Sequence, residues 1–426
     1  MREPAELLIE PRWLLPMAGG GAVLEGHAVV IDAGRILAVG PVAELSARFA
    51  PREHLRREQH ALLPGLINAH TRASLTLLRA CVPYADAARA DETLLMRGAG
   101  ADFVRDGTRL AMAEMLRAGI TCFADLSPHP EETARAAAAT QMRACIALPI
   151  ADEGEGPTAQ LARAERLWDE YRSDPRISLY FAPLGGMALS EATLGRVRRV
   201  ADELEARVAL CVSGEEAEAG GVRDQALLRT APPSALLGRL AGLGLLRPGF
   251  AAIGALDFAA AEFIERHGAA LIACPQASLR AGFTGLPLLE GERTGLGSGS
   301  PAAVGAPDMF AEARTAALLG GFGAARALRL ITAGGATALG LAAQVGSIEA
   351  GKAADLTCVA VDALTRASSA SLEDAIVFGS TRAAVSDVWT SGRAAVRAHT
   401  LLAFDAQELE RIPAHWTQRL KLGVAA

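Results

Sequence analysis

Short apolar runs broken by glycine and proline fill the first sixty residues. "ELLIE", "AVVIDAGRILAVG" and "HALLPG" read as strands, and "DAGR" between two apolar runs predicts a β-hairpin. From Pro64 the pattern changes, and apolar runs of strand length alternate with amphipathic stretches of helical period. "GLINAH" is followed by "SLTLLRA". "DFVRDGTRLAMAEMLRAG" predicts a helix closed by glycine, and "ITCFADL" a strand after it. The same order recurs in "EETARAAAATQM" before "RACIALPI", "AQLARAERLWDEYRSD" before "ISLYFAPL", and "SEATLGRVRRVADELEA" before "RVALCVS". It continues in "ALLGRLAGLGLL" before "FAAIGAL", "AAAEFIERHG" before "AALIACP", and "LPLLEGE" before "RTGLGSG". Eight strands alternating with helices predict an α/β fold, a (β/α)8 TIM barrel. After about residue 345, "GSIEAGKAADLTCVAVD" and "AVSDVWTSGRAAV" return as strands without helical partners. The expected organisation is a barrel over residues 61–345, with residues 1–60 and 346–426 meeting in a small composite β-sandwich. An open doubly wound sheet would need a glycine-rich phosphate turn, and no convincing G-x-G-x-x-G is present.

Composition refines this picture. Apolar residues make up 51% of the chain but aromatics only 4%, so the core must be built from small aliphatic side chains. The net charge of −6 comes with no long run of either sign, which argues against a nucleic-acid or anionic-membrane surface. No two of the six cysteines (Cys81, Cys122, Cys145, Cys211, Cys274, Cys358) form a C-x-x-C pair, and all sit in apolar surroundings. Reduced, buried thiols in a cytoplasmic protein are expected. The N-terminal "MREPAELLIEPRWLLP" has no apolar segment of signal or membrane-span length.

Five stretches carry a resemblance: "LLPGLINAHT", "FVRDGTRLAMAEMLRAGITCF", "ACPQASL", "PDMFAEARTAALL" and "GGATALGLAAQVGSIEAGKAADL". Together they resemble the amidohydrolase superfamily, in the branch of the triazine hydrolases and the 5-methylthioadenosine/S-adenosylhomocysteine deaminases. The resemblance implies one divalent metal held by two His of the first barrel strand, a His of the fifth and an Asp of the eighth. A Glu three residues after the fifth-strand His and a His on the sixth strand would move protons, and a His after the fourth would touch substrate. Such a metal lowers the pKa of a bound water so that hydroxide attacks at neutral pH.

Position by position, the ligand set is mostly missing. His70 matches the first ligand, but the second falls on Arg72. The substrate His falls on Leu184. The fifth-strand pair falls on Cys211 and Gly214, with Glu215 one residue late. The sixth-strand His falls on Ala252 or Ile253, and the Asp on Gly299. The segment after Arg79, "ACVPYADAARADETLLMRGAG", is short for the family. The losses gather at strand ends facing the barrel mouth, while the framework motifs are kept.

A guanidinium is a fixed cation and a donor only, so Arg72 cannot ligate a metal. Alternation along a strand puts residues 70 and 72 on one face. The expectation for Arg72 is pairing with an internal carboxylate such as Asp125, then exposure at a wet rim, then contact with an anionic ligand. His70, Cys211 and Asp125 lie near predicted strand C-termini and are donors from which a zinc or iron site could be rebuilt, although Cys211 reads more simply as a small buried filler. Asp308 and Glu312 read as caps of the helix after the eighth strand. "GSGS" at 297–300 reads as a loose loop left behind by a lost ligand. The remaining histidines have no partner at ligand spacing. These readings predict no catalytic residue and no cofactor. They point to a hydrolase-like, non-catalytic subunit, forming a homodimer or a heteromer with an active homologue, or to a binder of a small anionic ligand. The alternative is a metal-dependent deaminase or amidohydrolase with an unconventional site.

Overall fold

The computed structural model describes residues 2–19, 21–81, 100–212, 233–254, 256–289 and 291–424. The N-terminal region supplies β1 (Glu3–Leu14), β2 (Leu24–Glu25), β3 (His27–Asp32), β4 (Arg35–Pro41) and β5 (Phe49–Pro64). Eight parallel strands follow: β6 (Leu66–Thr71), β7 (Ile120–Asp125), β8 (Arg143–Ile150), β9 (Ile177–Pro183), β10 (Arg207–Cys211), β11 (Phe250–Ile253), β12 (Ala270–Ala273) and β13 (Thr294–Leu296). They pair in sequence order from β6 to β13. A bridge between Thr71 and Gly299 closes the ring, so the (β/α)8 barrel expected from the apolar pattern is present.

The barrel strands are buried on both faces, and their side chains sort by alternation. On β8, Ala144, Ile146, Leu148 and Ile150 pack outward with the helices, while Cys145 and Ala147 point inward. On β9, Ile177, Leu179 and Phe181 face the helices, and Tyr180 and Ala182 the interior. The inward positions of the ring are mostly alanine, which is where the small-residue composition goes. Strand termini follow local rules. The helix Ala101–Arg117 ends at Gly119, whose φ of +82° suits a residue without Cβ.

The other sheet joins both chain ends. It combines β1–β5 with β14 (Leu356–Ala360), β15 (Val385–Thr390), β16 (Arg393–Arg397) and β17 (Thr400–Leu401). The "DAGR" hairpin forms as expected, with Asp32 opposite Arg35 and positive φ at Ala33 and Gly34. The sheet curls until the β3–β4 turn meets the approach to β14, where Ile36 N–H donates to Lys352 O at 2.9 Å and Ala354 N–H to Gly34 O at 3.0 Å. Leu7, Ile9, Val29 and Ile31 thereby share a core with Leu356, Cys358 and Trp389.

Two expectations are corrected. "LPLLEGE" is not helical; the helix before β13 is Pro275–Arg280. Pro287 and flanking glycines deny the later stretch a helical backbone. The C-terminal stretch is not strand-only, because Ala406–Val424 is a helix that returns to the barrel. Its Trp416 packs edge-on against Phe103, with centroids 5.1 Å apart, and donates its indole N–H to Asp106 Oδ2 at 2.9 Å.

Asp308 does cap the helix Met309–Gly320, accepting from Phe310 N–H at 3.0 Å and Ala311 N–H at 3.1 Å. Glu312 does not act as a solvated cap. It is buried and accepts from Gln276 N–H at 3.0 Å, holding the start of the neighbouring helix Pro275–Arg280. Burial pushes its carboxyl up to about 8. The folded state therefore holds a proton that the unfolded chain releases above its ordinary value. This contribution is complete below pH about 4.5 and is lost as pH rises through about 8, a span on the order of 5 kcal/mol. Glu312→Gln keeps the acceptor and cannot ionise. Its melting temperature is expected to exceed the parent's at pH 9 and to match it at pH 5, as read by thermal unfolding at both.

Candidate functional site

β6 and β13 meet at the barrel mouth in a tight seam. Gly299 N–H donates to His70 O at 3.1 Å, and Gly299 O accepts from Arg72 N–H at 3.2 Å and from the Thr71 hydroxyl at 3.1 Å. Ser298 is locked to Asn68 by two hydrogen bonds, Asn68 Nδ2 to Ser298 Oγ at 2.8 Å and Ser298 N–H to Asn68 Oδ1 at 2.9 Å. "GSGS" is thus a fixed seam and not a loose loop. Gly297 explains how close the approach is. A Cβ there would fall within 2.6–2.8 Å of His70 backbone atoms and its Cβ.

The seam brings His70, Arg72 and Gly299 together. His70 is fully buried, and Arg72 is only 8% exposed, so the wet-rim expectation for Arg72 is wrong. β6 shifts register against β7 between Asn68 and Thr71, and Arg72 caps the 3-10 turn Ala73–Leu77 that follows the strand.

Asp125, at the end of β7, is not the carboxylate that answers Arg72. Its Oδ1 accepts from Ala73 N–H and its Oδ2 from the Thr133 hydroxyl, both at 2.8 Å, and no ion pair joins it to Arg72. Burial raises its carboxyl above the ordinary range. The Ala73 N–H, the Thr133 and Ser127 hydroxyls and the nearby His70 ring oppose that rise. Asp125 therefore anchors the turn after β6 to the helix Pro130–Thr140, with each carboxylate oxygen already accepting a hydrogen bond. Asn68, Ser298 and Thr133 were not singled out from the sequence; only their polar character inside apolar runs could have flagged them.

The remaining candidates lie across the mouth. Cys211 and Ile253 are register partners on β10 and β11, the first half-buried and the second buried. Leu184 follows β9, half-buried, with its N–H donated to Ile150 O at 2.8 Å. Gly214 and Glu215 lie outside the described residues, as does most of the segment after Arg79.

The amidohydrolase family profile matches residues 61–395, and a bacterial imidazolonepropionase-like composite-domain profile matches residues 28–50. The chain belongs to the amidohydrolase family. A 5-methylthioadenosine/S-adenosylhomocysteine deaminase from Saccharophagus degradans is 31% identical over 99% of this chain and 98% of that protein. An adenosine deaminase from Xanthomonas campestris, solved with bound zinc, superposes with a TM-score of 0.87 at 32% identity, over 99% of this chain and all of that one. An Arthrobacter aurescens atrazine chlorohydrolase complexed with zinc shares the fold, with a TM-score of 0.78 at 19% identity over 96% of this chain and all of that one. This amidohydrolase thus falls in the branch of the deaminases and triazine hydrolases.

Whether a divalent metal fits this mouth depends on its donors. A catalytic site needs about three protein ligands. Among the described residues no three His, Cys, Asp or Glu side chains converge in that way. His70 offers imidazole and Cys211 a thiol, but Arg72 brings a positive charge, Asp125 is hydrogen-bonded elsewhere, and Ile253 and Gly299 offer nothing. The described donors do not fit the metal that the family implies.

Proposed function

We propose that this amidohydrolase-family chain does not perform metal-dependent hydrolysis and acts as a non-catalytic subunit, in a homodimer or with an active homologue. The observation carrying the proposal is the donor set: among the described residues no three His, Cys, Asp or Glu side chains converge on a metal position, and a buried arginine, Arg72, stands at the sequence position of the second ligand imidazole. A guanidinium is a donor only and cannot stand in for that imidazole. A narrower version of the proposal has the mouth receive a small anionic ligand. A cytoplasmic setting belongs to the proposal and is supported by the absence of disulfides among the five described cysteines. No helix among the described residues is long and apolar enough to cross a membrane.

The expected result is purified protein with far less than one equivalent of zinc, iron or manganese. No ammonia should be released from 5-methylthioadenosine, S-adenosylhomocysteine or adenosine after zinc is supplied. Elemental analysis and an ammonia assay read both, and light scattering on the eluting peak reads the oligomer. Near-stoichiometric metal with turnover would overturn the proposal. It would establish a second reading, a deaminase with an unconventional site, which the end-to-end similarity to a deaminase favours. That reading would have to draw its missing donors from elsewhere, and the sequence of residues 213–232 contains Glu215, Glu216, Glu218 and Asp224.

A further inference from the structure

The barrel carries a second chemical cluster, in its lower half and away from the mouth. Cys122 and Cys145 are the third residues of β7 and β8, and both point into the interior. Both are buried, on adjacent paired strands and in the same interior cluster. The neighbouring Cys145 and burial hold the Cys122 thiol well above the ordinary range, while Cys122 and the Arg207 and Arg143 guanidiniums hold Cys145 below it.

Arg207 begins β10 and is largely withdrawn from water, which pulls its pKa down. Arg143 has Asp355 as its counter-ion, but among the described residues Arg207 has no carboxylate. Its Nη2 donates to Ala338 O at 2.7 Å, and it lines the same small cavity as Cys145. A cavity of about 30 Å³ lies here, lined by Cys145, Tyr180, Arg207 and Ala209 among others. One thiol and a cation without a carboxylate partner among the described residues line the void, and the second thiol lies on the next strand.

We propose that Cys122 and Cys145 form a two-coordinate site for a soft monovalent metal, cuprous ion. Thiolate is the donor that selects such an ion. Binding forms two sulfur–copper bonds and releases two protons to solvent. The resulting dithiolate complex carries one net negative charge, which Arg207 is placed to balance. A disulfide is the competing use of two thiols, and the register disfavours it. Cys122 pairs with Arg143, and Ala124 with Cys145, so the cysteines are diagonal neighbours. A disulfide needs Cα atoms roughly 4.4–6.8 Å apart, which favours directly opposed positions over diagonal ones. A bridging metal lengthens the reach between the sulfurs.

The test is anaerobic titration of the reduced full-length protein against cuprous bathocuproine disulfonate, reading the loss of the coloured complex. One equivalent of copper should transfer to the parent, with two sulfur neighbours seen by X-ray absorption. Cys122→Ser and Cys145→Ser should each abolish the transfer, and Cys211→Ser and Cys358→Ser should retain it. Arg207→Gln should weaken binding by about 10- to 100-fold, the usual effect of losing an outer partner, and Arg207→Lys should recover part of it. Thermal unfolding of each variant separates loss of the site from loss of the fold, and X-ray absorption on the parent does not depend on any variant. No transfer to the parent, equal transfer to both serine variants, or a Cys122–Cys145 disulfide formed by dilute peroxide would each overturn the proposal.

Discussion

Replacing Asp355 by alanine is expected to cost about 3–5 kcal/mol of stability, the usual penalty for stranding a buried charge. Asp355 Oδ2 accepts from Arg143 Nε at 3.0 Å, and Oδ1 from Ser391 N–H at 2.7 Å. Both side chains of the ion pair are almost wholly buried, 4% exposed for Arg143 and 2% for Asp355. Arg143 keeps the Pro175 carbonyl at 2.7 Å and the Gln344 side chain at 3.1 Å, so its geometry would persist after truncation while its counter-charge would not. The pair also fastens β8 of the barrel to the segment entering β14, so the loss should loosen the join between barrel and sheet. Arg143→Met with Asp355→Leu should lose much less than Asp355→Ala alone, because no charge is then left behind. Urea unfolding midpoints for the three proteins check this. A double variant as damaged as the single one would mean that packing, and not the stranded charge, sets the cost.

The barrel was legible in the sequence because its signals are local. Apolar runs such as "RACIALPI", a glycine after "AEMLRA" and Asp308 ahead of its helix each declare an element within a few residues. The C-terminal helix was not legible in that way. Pro413 interrupts it, and the stripe of Leu409, Ile412 and Trp416 has meaning only against Phe103 and its neighbours some three hundred residues earlier. The mouth shows the same division. The positions of His70, Arg72, Cys211, Ile253 and Gly299 at strand ends follow from framework motifs. What each side chain does there does not. Asp125 was read as a charge awaiting a partner because nothing local shows that Thr133 and Ala73 N–H have taken its oxygens. Alternation alone cannot foresee the register shift between Asn68 and Thr71 that precedes Arg72. Ser298 was read as slack because its lock, Asn68, lies 230 residues away.

Restoring two donors to the seam should turn the mouth into a metal site. Arg72→His with Gly299→Asp would put two imidazoles and a carboxylate beside one another, since Gly299 is already hydrogen-bonded to the backbone at both His70 and Arg72. Three such ligands with an open position meet the requirement for zinc. Gly299 has a φ of +64°, a conformation that aspartate tolerates better than most residues, so a loss of about 1–2 kcal/mol is expected before metal is added. The double variant should bind about one equivalent of zinc and gain melting temperature with it, while the parent and Arg72→His alone should bind far less. Zinc titration with a chromophoric competitor, alongside thermal unfolding, reads both effects. A stable double variant that ignores zinc would mean that these three positions do not converge. Arg72 would then no longer count as the residue that displaced a ligand, and the proposal of lost hydrolysis would lose its main support.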